Sequence, residues 1–145
     1  MSKPQVVIYT DGSCNSDGKG AWAAYLRYYD DTLYMSGNEE DTTNNRMEIM
    51  AVIRALSCLT ASCKITLYTD SQYVRNGILS WAYSWKRNGW KTNSGGAVKN
   101  RDLWEQILEL RSKHHLKVNW VKGHAGHVGN EIVDSLAQLM TKLPV

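Results

Sequence analysis

The tetrapeptide Tyr9-Thr10-Asp11-Gly12 is echoed by Tyr68-Thr69-Asp70-Ser71, and each copy closes a hydrophobic run with the character of a β-strand. Parallel neighbours in a sheet lie about 5 Å apart, so if the two runs pair in parallel, both carboxylates emerge side by side at one sheet edge. Like charges that close repel unless something cationic sits between them. Hard oxygen donors select Mg²⁺, Mn²⁺ or Ca²⁺ over zinc. Each aspartate also has an ordinary use, Asp11 in an Asp-Gly turn and Asp70 as the cap of a helix opening at Ser71. Two further acids stand out. Glu48 falls in the first turns of an almost wholly apolar helical stretch, where a lone carboxylate is costly unless it is paired or ligates a metal; Asn45-x-x-Glu48 also fits a capping box. Asp134 sits mid-helix beside an apolar stripe, although aspartate is a poor helix former; a solvated face is its ordinary explanation.

The elements that must position these groups follow from periodicity. Residues 5–10 read as a first strand, 21–28 as a second after a glycine-containing loop, and 33–37 as a third, an antiparallel meander. From Asn44 the period becomes helical: Met47, Ile49, Met50, Ala51, Val52, Ile53, Ala55, Leu56 and Leu59 leave Glu48 and Arg54 as the charges of a helix covered on most faces. Residues 64–69 form the fourth strand. A short helix at 71–76 is expected to end at Gly77, and 80–87 gives further helical turns stopped by Asn88-Gly89. An amphipathic helix at 102–113, a fifth strand at 116–121 and a final helix at 128–142, with Val133, Leu136, Ala137 and Met140 inward, complete the chain. Strands alternating with helices in the second half favour a mixed sheet with helices on its faces.

With 145 residues, 43% of them hydrophobic, and two prolines, the chain reads as one globular α/β domain over 1–145. No apolar run reaches membrane-spanning length and no signal segment precedes the first strand, so a soluble, cytoplasmic protein with no membrane partner is expected. Cys14, Cys58 and Cys63 have no zinc spacing and cannot all pair; they read as reduced, core or near-core thiols, with Cys14 near Asp11. The net charge of +3 conceals an asymmetry, because Arg75, Lys86, Arg87, Lys91, Lys99 and Arg101 lie in a stretch without any acid, which leaves the remainder at −3. A basic segment on a mildly acidic body points to a polyanion bound through its phosphates.

Tyr-Thr-Asp-Gly-Ser-Cys at 9–14, Thr-Thr-Asn-Asn-Arg-Met-Glu at 42–48, Thr-Asp-Ser-Gln-Tyr-Val at 69–74, Gly-Trp-Lys-Thr at 89–92 and Trp-Val-Lys-Gly-His-Ala-Gly-His at 120–127, followed by Asn130, Glu131 and Asp134, together resemble ribonuclease HI almost from end to end. The resemblance implies a ribonuclease H-like α/β fold: a five-stranded mixed sheet of order 3-2-1-4-5 flanked by helices, with a basic protrusion at about 80–100. It implies an endoribonuclease that hydrolyses the RNA strand of RNA/DNA hybrids to 5′-phosphate and 3′-hydroxyl ends. The cofactor would be two Mg²⁺ ions, with Mn²⁺ as a substitute, held by Asp11, Glu48, Asp70 and Asp134. His124, on a glycine-flanked loop, would assist proton transfer or product release. Asn44, Asn45 and Gln72 would contact the RNA, with Cys14 and Glu48 alongside. Thr43 and Asn100 would hold a DNA phosphate, Tyr73 and Trp85 would line a deoxyribose channel, and Lys86 and Arg87 would contact phosphates; a monomer is expected. Trp81 and Trp90 are assigned to packing of the protrusion, Trp104 and Trp120 to the core, His114 and His115 to the surface, and His127 to a helix start. The family pattern departs at 15–19, one residue short, where Asn15 or Ser16 would replace a usual amide contact and Asp17 brings an unmatched charge.

Other readings remain at this level. Transposases and junction resolvases also carry carboxylates on such sheets, but Asn44, Asn45, Gln72 and the basic segment speak against them. A metal-free ribonuclease using His124 and His127 fits poorly, since both lie on one short loop. A hybrid-binding module without catalysis would not need all four acids.

Overall fold

The computed structural model describes residues 3–123 and 126–143. Five strands, β1 (Gln5–Cys14), β2 (Gly20–Tyr28), β3 (Asp31–Glu39), β4 (Lys64–Thr69) and β5 (His115–Trp120), form one sheet of order β3-β2-β1-β4-β5. β1, β2 and β3 pair antiparallel, and β4 lies parallel to both β1 and β5. The order and mixed sense are those expected. β1 and β3 run longer than their hydrophobic cores because the meander keeps pairing through polar ends: Asp11 is itself a strand residue, opposite Ala23, and not part of a turn.

Alternation along the strands splits the interior in two. Val6, Ile8, Ala24, Leu26, Ile65 and Leu67 face α1 (Asn44–Ser57), in which Met47, Ile49, Ala51, Val52, Ile53, Ala55 and Leu56 are buried. On the other face Tyr9, Ala23 and Tyr25 meet Val133, Leu136 and Ala137 of the last helix, Val128–Thr141. That helix is α5. Between them in the chain run α2 (Gln72–Asn76), α3 (Ala82–Arg87) and α4 (Arg101–Ser112). Gly77 does not end a helix. The chain continues through a π-helical turn, Gly77–Trp81, into α3, because the missing side chain lets the Trp104 ring lie against the backbone there.

Several packing expectations need correction. Trp104 is fully buried and Trp90 nearly so, but Trp120 is 41% exposed and is no core residue; it closes the last turn of an edge strand with its indole turned to the neighbouring backbone. His114 is not a simple surface residue, since its Nδ1 accepts a hydrogen bond from the Cys63 N–H at 3.0 Å. Cys58 caps the C-terminus of α1 in an exposed position, whereas Cys63 is buried. Among the described residues no helix is long and apolar enough to cross a membrane.

Candidate metal centre and nucleic-acid interface

The repeated tetrapeptide acquires its meaning in the register. β1 and β4 pair Tyr9 with Tyr68 and Thr10 with Thr69, and the two tyrosine rings stack at 4.7 Å. Asp11 and Asp70 are the next residues on each chain, so they stand adjacent just past the last parallel rung. Asp70 is not needed as a helix cap, because Ser71 Oγ accepts from the Val74 N–H at 3.1 Å. Trp120 Nε1 donates to the Asp70 carbonyl at 2.9 Å, and the Val121 N–H donates to Thr69 O at 2.9 Å. The indole thus extends a ladder that the strand has already ended.

Glu48 arrives from the opposite layer. The Cβ of any larger residue at position 12 would overlap the backbone of Met47 and Glu48, so Gly12 allows α1 to touch β1 at that point. The capping-box reading fails: Thr43 is the N-cap, its Oγ1 accepting from the Arg46 N–H at 3.2 Å, which leaves Glu48 a full turn inside the helix. Its Oε1 is buried without a hydrogen-bond partner. Asp11, Glu48 and Asp70 each present an oxygen within 4.8 Å of the others. Asp134, on α5, adjoins that triad: it shares a side-chain hydrogen bond with Asp11 and acts electrostatically on both Asp11 and Asp70, while Gln138 Nε2 donates to its Oδ2 at 3.2 Å.

This crowding has a thermodynamic signature. Burial, then the Asp70 charge, pushes the Asp11 carboxyl up to about 8. Glu48 is driven well above the ordinary range by burial and by Asp11 and Asp70, against a donation from the Gly12 backbone. Asp70 is raised by burial and by Asp134, and relieved in part by a hydrogen bond with Asp11 and then by Asn130, whose buried side chain donates to it. Three carboxyls that cannot all ionise unaided, one with an orphaned oxygen, fit the donor set of a hard divalent cation and no neutral ligand as well. The sequence reading named Asn130 among the residues that carry the family resemblance but gave it no role; its place one turn before Asp134 in α5 was the available signal.

The remaining candidates surround this centre unevenly. Asn44, Asn45 and Gln72 are exposed at the N-terminal ends of α1 and α2. Cys14 Sγ donates to Thr42 O at 3.3 Å beside the start of α1. Thr43 and Asn100 are brought together through Arg46, whose Nη1 donates to Asn100 Oδ1 at 3.2 Å while its guanidinium pairs with Asp102 at 2.8 Å. Tyr73 is tied inward, its hydroxyl accepting from both Asn100 Nδ2 and Trp104 Nε1 at 3.1 Å. Trp85 is half-buried between the Trp81 and Trp104 rings, 6.0 Å from each. Lys86 and Arg87 lie at the end of α3 and are exposed, and neither forms an ion pair among the described residues, although Lys86 shares a cavity with Glu105 and Glu109. In the 15–19 loop, Asn15 Oδ1 accepts from the Asp17 and Lys19 backbone at 3.0 Å each, which commits that oxygen to the turn itself. His124 lies outside the described residues; Gly123, next to it, adjoins Asp70, since a Cβ there would lie 3.1 Å from Asp70 Oδ2.

A sheet that sets two strand-end aspartates beside a helical glutamate, with exposed amides opening two helices, offers the oxygen donors that a hard divalent cation takes. The sequence model of the family described as RNase H matches residues 3–142. Proteins named Ribonuclease H from Marinobacter nauticus and Brucella anthropi are each 52% identical to the chain, over 92% of its length and 91% and 88% of theirs. Among solved structures, LC9-RNase H1, described as a type 1 RNase H with the type 2 active-site motif, superposes with a TM-score of 0.86 at 30% identity, covering 98% of this chain and 74% of that one. A foamy viral protease-reverse transcriptase in complex with RNA/DNA hybrid shares the fold at 21% identity and a TM-score of 0.79, over 96% of this chain and 20% of that one. The chain belongs to the ribonuclease H family of endoribonucleases.

Proposed function

We propose that the protein hydrolyses the RNA strand of RNA/DNA hybrids with the help of two Mg²⁺ ions, leaving 5′-phosphate and 3′-hydroxyl ends. The observation that carries this reading is the carboxyl triad Asp11, Glu48 and Asp70, mutually within 4.8 Å and containing a buried oxygen with no partner. Asp11 and Asp70, fixed by β-sheet register, and Glu48, fixed by the close approach at Gly12, would hold the cations together with Asp134. Bound divalent ions supply acidity to an attacking water and positive charge against the leaving 3′-oxygen. Asn130 and Trp120 hold Asp70 in place from its side chain and its carbonyl respectively.

Selection of RNA needs donors and acceptors for the 2′-hydroxyl, which the exposed amides of Asn44, Asn45 and Gln72 provide beside the acids. Thr43 and Asn100, bridged by Arg46, form a polar rim suited to a phosphate of the DNA strand. Tyr73 and Trp85 would wall its sugars, and Lys86 and Arg87 would neutralise more distant phosphates. His124, the residue after Gly123 in the sequence, is assigned to proton transfer or product release.

Cleavage of hybrid, duplex RNA and duplex DNA, each with Mg²⁺ and with excess chelator, tests the proposal. Only the hybrid with Mg²⁺ should be cut, and Asp70→Asn should abolish the cutting. Equal cleavage by wild type and Asp70→Asn, or activity in chelator, would overturn it.

A further inference from the structure

Beside Asp70, on the β5 side of the sheet, a groove of about 580 Å³ runs between α2 and the end of β5, bordered by Gln72, Arg75, Asn119 and Trp120 over a floor of Val118 and Val121. We infer that this groove receives the backbone of the RNA strand beside the cut, with the Arg75 guanidinium on a phosphate, the Trp120 ring against a ribose, and Asn119 as a hydrogen-bonding edge for its 2′-hydroxyl. The inference rests on the RNA-cleaving reading above.

Four features converge on it. The groove adjoins the backbone of Asp70, since Gln72 borders it and the Trp120 indole N–H is bonded to the Asp70 carbonyl. Gln72 and Arg75 lie three residues apart, on one face of α2, so a strand touching the amide with its sugar meets the guanidinium with the next phosphate. Arg75 is separate from the rest of the acid-free segment, whose other cations begin at Lys86, and it contacts no acid among the described residues; its Nη1 donates only to its neighbour Asn76 Oδ1 at 3.3 Å. Trp120 is 41% exposed although its one polar group is already satisfied, so part of its ring faces solvent where the apolar face of a ribose would cover it. A guanidinium, a side-chain amide and an open indole match the phosphate, 2′-hydroxyl and ribose that a paired RNA strand exposes.

The test is binding and cleavage of one RNA/DNA hybrid by wild type, Arg75→Ala, Arg75→Lys and, as a reference on the protrusion, Lys86→Ala. Binding is followed by fluorescence anisotropy in chelator across a salt series, and cleavage in Mg²⁺. Arg75→Ala should weaken binding and raise KM about fivefold to tenfold while leaving kcat unchanged. It should also lower the salt slope by about one, and Arg75→Lys should restore the slope. The defect should vanish for hybrids whose RNA is trimmed on the side of Gln72 yet persist for Lys86→Ala. A wild-type Kd, KM and salt slope in Arg75→Ala on the long hybrid would overturn the subsite and leave the hybrid-cleaving function standing. A wild-type protein that neither binds nor cuts the hybrid would overturn both.

Discussion

Replacing Asp11 by Asn should stabilise the protein when no cation is bound, by an amount that grows with pH. Asp11 is 4% exposed and its carboxyl is pushed up to about 8 from 3.8. In the unfolded chain the group ionises near its ordinary value, so between those two values the folded state holds a proton that the unfolded state has lost. Folding stability therefore falls as pH rises through this window, at about 1.4 kcal/mol per unit. By pH 7 the accumulated cost is about 4 kcal/mol, an upper bound because neighbouring carboxyls readjust. Asn has nearly the same shape and no charge to bury, so the variant should match wild type near pH 4 and exceed it by about 2–4 kcal/mol at pH 7. Urea denaturation of both proteins in chelator at pH 4, 5.5, 7 and 8.5 measures the divergence. Mg²⁺ should narrow it by stabilising wild type more than the variant. Parallel stability curves, with no pH-dependent gap, would refute the picture of carboxyls confined too closely to ionise together.

Three other outcomes follow from the contacts. Gly12→Ala forces a Cβ into the backbone of Met47 and Glu48; it should cost about 3 kcal/mol in denaturant melts and lower kcat by moving Glu48 from Asp11. Tyr73→Phe leaves Asn100 Nδ2 and Trp104 Nε1 without their shared acceptor, so stability should fall by about 1–3 kcal/mol, with a smaller change in kcat; an unchanged melt would show that the pair is satisfied elsewhere. The double variant Lys86→Ala/Arg87→Ala should weaken hybrid binding and lower its salt slope by up to about two, while manganese binding stays at the wild-type level.

The juxtaposition of Asp11 with Asp70 was legible because a tetrapeptide repeated at two strand ends states its own register once the strands pair in parallel, as β1 and β4 do; the order of the whole sheet came from the family resemblance. Glu48 was legible as an anomaly, an acid in an apolar helix, but its alternative role as half of a capping box could be dismissed only with Thr43 seen at the N-cap. Trp120 and Asn130 were the failures. An indole after an alternating run looks like core, and nothing local reveals that an edge strand ends there and that the Asp70 carbonyl lies within reach. The buried amide of Asn130 depends on where α5 crosses the strands, a tertiary fact without a periodic signature. The same holds for Gly77, which reads as a stop until the Trp104 ring is found against it.

The central claim is that acids far apart in the chain share divalent ions at one point. Anomalous diffraction from crystals soaked in Mn²⁺ tests it most directly. Density should appear bounded by the carboxylates of Asp11, Glu48 and Asp70, with Asp134 beside it, and should be lost in Asp70→Asn. No density there, with the carboxylates too far apart to share an ion, would contradict it.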